Sequence, residues 1–160
     1  MPASASVLIV LAAFVLVSGV SDPAEAAAAD SFQEQIDDVL ERFPGGVQTG
    51  PTSVEWDGGA VELVFAHPTA PGVASVGSCA TGAYCAFNLP NLGGTRLSLT
   101  TCGTTVSTAA LPGSVQSIAN ARATGSVQAR NGSGTTLATV AAGGQLNVAP
   151  SGITHLRCSP

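Results

Sequence analysis

Residues 63–160 contain no aspartate and no glutamate. This region therefore has no carboxylate for acid–base catalysis, and its side chains cannot form the usual oxygen cage around calcium or magnesium. The chain also lacks lysine, and its basic residues are five arginines. Residues 63–160 carry four arginines and the chain has only 4% aromatic residues, so this region is too weakly basic and too poor in stacking side chains for a nucleic-acid binder. We expect no nucleic-acid partner, no bound calcium or other metal, and no cofactor.

The histidines and cysteines also argue against catalysis. His155 has no acidic residue near it in the sequence, and His67 has only Glu62, so a Ser-His-Asp arrangement is not indicated. A Cys-His pair needs a free thiol, whereas an even number of cysteines in a small exported domain favours disulfides. The alternative is a zinc site, but the cysteine spacing lacks the Cys-x2-Cys pattern. We expect that the protein is not an enzyme.

Acidic residues are instead concentrated in residues 30–62, which carry eight of them against one arginine. Residues 63–160 carry four arginines, so the two parts have opposite charge. One hypothesis is that the acidic part masks the weakly cationic part until it is removed. The 19 glycines and 10 prolines favour short strands and tight turns.

The amino-terminal residues are typical of an export signal. Residues 7–17 form an unbroken apolar run that is too short to cross a bilayer comfortably, and small residues follow at 24–29. We predict a signal peptide over residues 1–29 and a secreted, extracellular protein that meets the membrane only through this peptide. The alternative is an uncleaved anchor, since no lysine or arginine precedes the run.

Residues 30–66 are predicted to form an accessory helix and β-hairpin. Apolar residues at helical spacing predict a helix over 30–43, with Ser31 and Glu34 as a capping box. Alternating apolar residues around Asp57-Gly58 predict a hairpin over 53–65, with Trp56 packed under the helix. This segment is too small to fold alone, so it docks on the next domain, pairs with another molecule or stays partly loose. Residues 67–78 read as a linker.

Residues 79–160 are predicted to be all β. A glycine corner at Leu92-Gly93-Gly94 indicates a hairpin whose loop folds back over its own sheet. Short, evenly spaced strands favour a sandwich or a small barrel. The predicted strands cover residues 83–88, 95–101, 116–120, 125–131, 135–141, 144–149 and 153–158.

This region resembles the βγ-crystallin-like exported proteins of actinobacteria, whose type member is a small metalloproteinase inhibitor. The matching pieces are Cys79-x5-Cys85, Phe87-x4-Leu92-x-Gly94, and residues 111–120 and 138–146. The resemblance implies a two-motif Greek-key sandwich. It also implies a local first disulfide, Cys79–Cys85, and with it a second pair, Cys102–Cys158.

Two departures from the family pattern matter for function. Residues 112–117 lack the paired Asn or Asp residues of the calcium-binding motif. The long disulfide-closed loop of the inhibitor is replaced by four residues, Asn131, Gly132, Ser133 and Gly134. We take these four residues as the candidate binding loop and an extracellular peptidase as the expected partner. The alternative is a structural or envelope-associated β-sandwich module without inhibitory activity.

Overall fold

The computed structural model of the chain describes residues 23–66 and 79–160, with side chains from residue 32 onward. The predicted linker, His67 and most of the predicted signal peptide lie outside these residues. The described chain folds into one helix, a short 3₁₀ turn and eleven strands. Their bounds are α1 Pro23–Arg42, β1 Val47–Gly50, β2 Ser53–Trp56, the 3₁₀ turn Asp57–Gly59, β3 Val61–Val64, β4 Tyr84–Leu89, β5 Gly93–Leu99, β6 Thr105–Ser107, β7 Ser117–Asn120, β8 Ser126–Arg130, β9 Thr136–Ala141, β10 Gln145–Leu146 and β11 His155–Ser159.

The strands form two antiparallel sheets, which confirms the prediction of a mainly β protein. The large sheet has the order β1-β2-β3-β5-β4-β7-β10, and the small sheet has the order β6-β11-β8-β9. Strand β6 follows β5 in the chain but lies in the small sheet. Strand β10 follows β9 but lies in the large one. The two sheets therefore exchange strands.

Helix α1 has the predicted apolar face, but it begins earlier than predicted. Ile36 and Val39 are fully buried, and the helix ends before Pro44. It starts at Pro23, so Ser31 lies inside the helix and the predicted capping box is wrong. The preceding alanine run explains the extension, since alanine has the highest helix propensity.

The predicted hairpin forms from β2 and β3. Trp56 pairs with Val61, and the connecting residues Asp57 and Gly58 both have positive φ, at 52° and 64°. Trp56 packs against the end of the helix, as predicted, and its indole N–H donates to the Phe43 carbonyl at 2.9 Å. Strand β1, which the sequence did not predict, pairs with β2.

The accessory segment docks on the rest of the chain as part of the large sheet. Strand β3 pairs with β5 in antiparallel register, and Glu62 forms an ion pair with Arg96 at 3.1 Å. The same register aligns a row of fully buried side chains across five strands. This row consists of Val54, Leu63, Leu97, Ala86 and Ile118. Hydrophobic burial therefore joins the acidic part to the cationic part, with one ion pair at the strand boundary.

The main core lies between the large sheet and a second layer made of helix α1 and the small sheet. Residues from all three elements form one buried cluster, which includes Ile36, Leu97 and Leu156. Tyr84 is also buried there, and its hydroxyl donates to the Thr101 carbonyl at 3.0 Å. Burial raises the pKa of Tyr84 above 10.0, although the charge of Arg122 and the hydrogen bond to Thr101 act in the opposite direction.

The corner between β4 and β5 forms as predicted. Gly94 has a φ of 74°, and a Cβ at this position would collide with Asn88 Oδ1, which accepts a hydrogen bond from the Thr95 amide at 2.8 Å. The loop folds back over the sheet, because the Leu92 amide donates to Ser117 Oγ at 2.9 Å. The corner thus fixes the register of the central hairpin.

Both disulfides pair as predicted. Cys79–Cys85 lies in a small second cluster with Phe87, Leu92 and Ala119, on the other face of the large sheet. Cys102–Cys158 joins the chain just after β5 to β11, and so connects the two sheets. Paired cysteines are compatible with an extracellular protein. Within residues 23–66 and 79–160, no helix is both long enough and apolar enough to cross a bilayer.

The remaining predicted strands are found with small shifts. Strand β10 is much shorter than predicted, with two residues instead of six. Strand β6 was not predicted at all. Its three residues are mostly exposed and too short a run to show a strand pattern, so no sequence signal indicated it.

Candidate functional site

The candidate loop, Asn131–Gly134, connects β8 and β9. Asn131 holds it in shape, because Oδ1 of this residue accepts hydrogen bonds from the Ser133 amide at 3.1 Å and from the Thr135 amide at 2.8 Å. The Gly134 amide donates to the Asn131 carbonyl at 3.0 Å, and Gly134 has a φ of 84°. A tight turn followed by a left-handed glycine is a common hairpin connection. The loop is therefore ordered by its own hydrogen bonds, while residues 132–135 stay exposed.

A cavity of about 250 Å³ lies beside this loop, and we call it the Arg130 cavity. Its polar lining comes from strands β6, β8 and β11 and from the loop itself. The lining residues are Thr105, Arg130, Asn131, Gly132, Gly134 and His155.

Strand pairing brings these distant residues together. Arg130 of β8 stands directly opposite His155 of β11, and β11 pairs on its other side with β6, which carries Thr105. Their strand neighbours Ala129 and Leu156 are fully buried in the core. Because successive side chains of a strand point to opposite faces, Arg130 and His155 lie on the outer face of the small sheet.

The charge on this face is positive. Arg157 also lies there, opposite Gln128. Among the described residues, the ion pairs join Arg42 to Asp38 and Arg96 to Glu62, and Arg130 and Arg157 take part in neither. Arg130 instead donates a hydrogen bond from a terminal nitrogen to Gln128 Oε1 at 2.5 Å. The cavity therefore presents a guanidinium without a neutralising carboxylate.

His155 is partly buried, and its environment is polar. Its Nδ1 lies 2.9 Å from Thr154 Oγ1, close enough for a hydrogen bond. This contact restrains the imidazole ring beside Arg130. The sequence pointed to no role for His155, and its contribution becomes visible only through the pairing of β8 with β11.

Not all of the cationic residues gather at this face. Arg122 lies elsewhere, and its guanidinium donates to the carbonyls of Gly82 at 3.1 Å and Thr100 at 3.2 Å. It fastens two chain segments together. Arg130 and Arg157 therefore contribute the positive charge of this face, and Arg122 does not.

A second, more apolar opening of about 400 Å³ lies where the end of the helix meets the small sheet. Its apolar lining is Phe43, Pro44, Trp56, Val61, Leu97 and Ala110. Arg42 is at its edge but is already paired with Asp38. The opening therefore offers mainly apolar contact area, and Asp57 is the acidic residue in its lining.

Within the described ranges, no three His, Cys, Asp or Glu side chains lie close enough together to hold a metal ion. All four cysteines are in disulfides. The expectations of no calcium and no enzymatic activity stay predictions.

No protein-family model matches the chain, and neither a curated protein nor a solved structure matches it significantly.

Proposed function

We propose that the protein is a secreted, disulfide-stabilised binding protein that inhibits an extracellular peptidase through the loop Asn131–Gly134. The observation that carries the proposal is the internal order of this loop, which Asn131 holds with hydrogen bonds to the Ser133 and Thr135 amides. A segment that is ordered before binding loses little conformational entropy when a partner takes it up. The exposed residues 132–135 are then available to a peptidase cleft.

The strand order supports a βγ-crystallin-like Greek-key fold. Strands β4, β5, β6 and β7 form one set of four, and β8, β9, β10 and β11 form the other. In each set the fourth strand lies beside the first: β7 beside β4, and β11 beside β8. The third strand of each set, β6 or β10, lies in the other sheet. Two interlocked four-strand units are what a two-motif Greek-key sandwich requires.

A four-residue loop is too small to form a stable complex alone. A specific interface covers roughly 800 Å² on each partner. The neighbouring outer face of the small sheet adjoins the loop through Arg130 and can supply the rest. We therefore propose that the loop enters the partner's cleft while this face contacts the surrounding surface.

Export is part of the same proposal. Residues 1–29 act as the signal peptide, and the two disulfides form after export. The alternative function is a structural or envelope-associated module. If no peptidase is inhibited, this alternative is favoured. Its supporting observation is the polar outer face of the small sheet, which carries Arg130 and Arg157, in a region without an Asp or Glu side chain.

The test is a titration of thermolysin-like and subtilisin-like peptidases with the purified protein. We expect activity to fall in proportion to the protein added, and an Asn131→Ala variant to inhibit at least about tenfold more weakly, because the loop loses its hydrogen bonds. Asn147→Ala is the matched control, since this exposed asparagine lies just after β10, away from the candidate loop, and accepts a hydrogen bond from Gln145. Undiminished peptidase activity at micromolar protein would favour the envelope module.

A further inference from the structure

We propose that the Arg130 cavity binds a single carboxylate carried by an extended peptide segment of the partner. This inference rests on the proposed function, since it assigns a ligand class to the surface beside the loop. The sequence suggested the loop but gave no role to His155 or Thr105, both of which line this cavity.

The charge of the cavity selects an anion. Arg130 has no ion-pair partner among the described residues, and the sequence places no Asp or Glu after Glu62. Its guanidinium uses one terminal nitrogen for Gln128 Oε1, at 2.5 Å. Its Nε is buried, so the N–H groups of the two terminal nitrogens are the donors that can pair with the two oxygens of a carboxylate. The anion would therefore supply the charge partner that this chain does not provide.

The neighbouring groups fit the same ligand. The hydroxyl of Thr105 and the imidazole of His155 line the cavity and can donate hydrogen bonds to a carboxylate. The contact of His155 Nδ1 with Thr154 Oγ1, at 2.9 Å, restrains the ring. Three different strands thus place polar groups around one position.

Size and backbone access favour a peptide. The volume of about 250 Å³ is below the range of about 300–1,000 Å³ usual for whole small-molecule ligands, so the cavity suits one acidic side chain or a chain terminus. Gly132 and Gly134 form part of its wall, and apart from their chain neighbours no atom lies within 3.5 Å of a Cβ built at either. A peptide main chain can therefore approach this wall closely.

The experiment measures binding of two fluorescent pentapeptides, Gly-Gly-Glu-Gly-Gly and its Gln counterpart with blocked ends, to the full chain at low ionic strength. We expect the Glu peptide to bind at least about tenfold tighter than the Gln peptide, because a charged hydrogen bond is stronger than a neutral one. Added salt should reduce this preference. Arg130→Gln should abolish the preference, and Arg130→Lys should retain part of it, since lysine keeps the charge but loses the fork.

Arg42→Gln is the matched control, because it removes the same charge from an exposed helix position at the other opening. Arg42→Gln should leave the preference unchanged. Equal binding of the two peptides to the unaltered chain would overturn the inference, and so would equal losses in Arg130→Gln and Arg42→Gln. A blocked uronic-acid oligosaccharide that binds at Arg130 more tightly than the Glu peptide would also overturn it. The peptidase titration is an independent measurement. Inhibition of a peptidase without a preference for the Glu peptide would refute only this inference. A preference for the Glu peptide without inhibition would refute only the proposed function.

Discussion

Replacing Cys158 with alanine should destabilise the protein more than replacing Cys85. The two side chains are equally buried, with no exposed surface, so the loss of packing is similar in the two variants. They differ in the disulfide that is lost. Cys85 closes a short loop with Cys79, whereas Cys158 closes a long loop with Cys102 and joins the two sheets.

The difference follows from the lengths of the closed loops. The sequence separations are 6 for Cys79–Cys85 and 56 for Cys102–Cys158. In the chain-entropy model, the long loop stabilises by about 4 kcal/mol and the short loop by about 2 kcal/mol. The total stability of a domain is about 5–15 kcal/mol, so losing the long loop removes a large share of it.

The assay is equilibrium unfolding in denaturant under non-reducing conditions, supported by thermal melting. Cys158→Ala should lose about 2 kcal/mol more than Cys85→Ala, which corresponds to a melting temperature lower by roughly 8 °C. Equal losses in the two variants would show that loop length does not decide the stabilisation. A mass map of the unaltered protein that joined Cys79 to Cys102 would refute the pairing itself.

Three further predictions concern the fold. Gly94→Ala should cost about 2–4 kcal/mol in a denaturant melt, because the added Cβ would displace Asn88. Gly113 has a similar positive φ, 82° against 74°, but open space around it, so Gly113→Ala should cost only about 1–2 kcal/mol. Equal costs in the two variants would show that the contact with Asn88 is not the cause. Because burial raises the pKa of Tyr84, the unfolded state loses the phenol proton at lower pH than the folded state, so the free energy of unfolding should fall as pH rises above about 10. In the folded protein, the phenolate absorbance of this single tyrosine should appear at a pH above the ordinary pKa. Unchanged stability across that pH range, with phenolate appearing at the ordinary pKa, would contradict this prediction. Removing residues 23–66 should lower the melting temperature sharply, because the buried side chains of this segment, such as Ile36, Val54 and Leu63, are lost from the core. A fragment that melts at the same temperature as the full chain would show that the acidic segment is dispensable for folding.

Local patterns in the sequence were enough to predict most of the elements. The apolar spacing around Ile36 predicted the buried face of the helix, and Asp57-Gly58 predicted the hairpin turn. The glycine corner at Gly94 was also predicted, because its positive φ is a local requirement. Each of these features depends on a few neighbouring residues, which is why sequence alone was sufficient.

The features that depend on distant pairing could not be predicted. Strands β1 and β6 are short and mostly exposed, so they carry no apolar alternation. The start of the helix at Pro23 was missed for a different, local reason: the alanine run was assigned to the signal peptide. The loop Asn131–Gly134 was predicted, but the meeting of Arg130 with His155 follows from the register of β8 against β11. Strands β9 and β10 separate β8 from β11 in the sequence, so no local pattern indicates this register.

The most direct test of the account is hydrogen exchange of the full chain with and without a catalytically inactivated thermolysin-like peptidase. We propose that binding occurs through the loop Asn131–Gly134 and the adjoining outer face of the small sheet. Amide exchange should therefore slow in residues 130–135 and 154–156, and stay unchanged around Trp56 at the apolar opening. Unaltered exchange at the loop with the peptidase in excess, or protection centred on Trp56, would contradict the account.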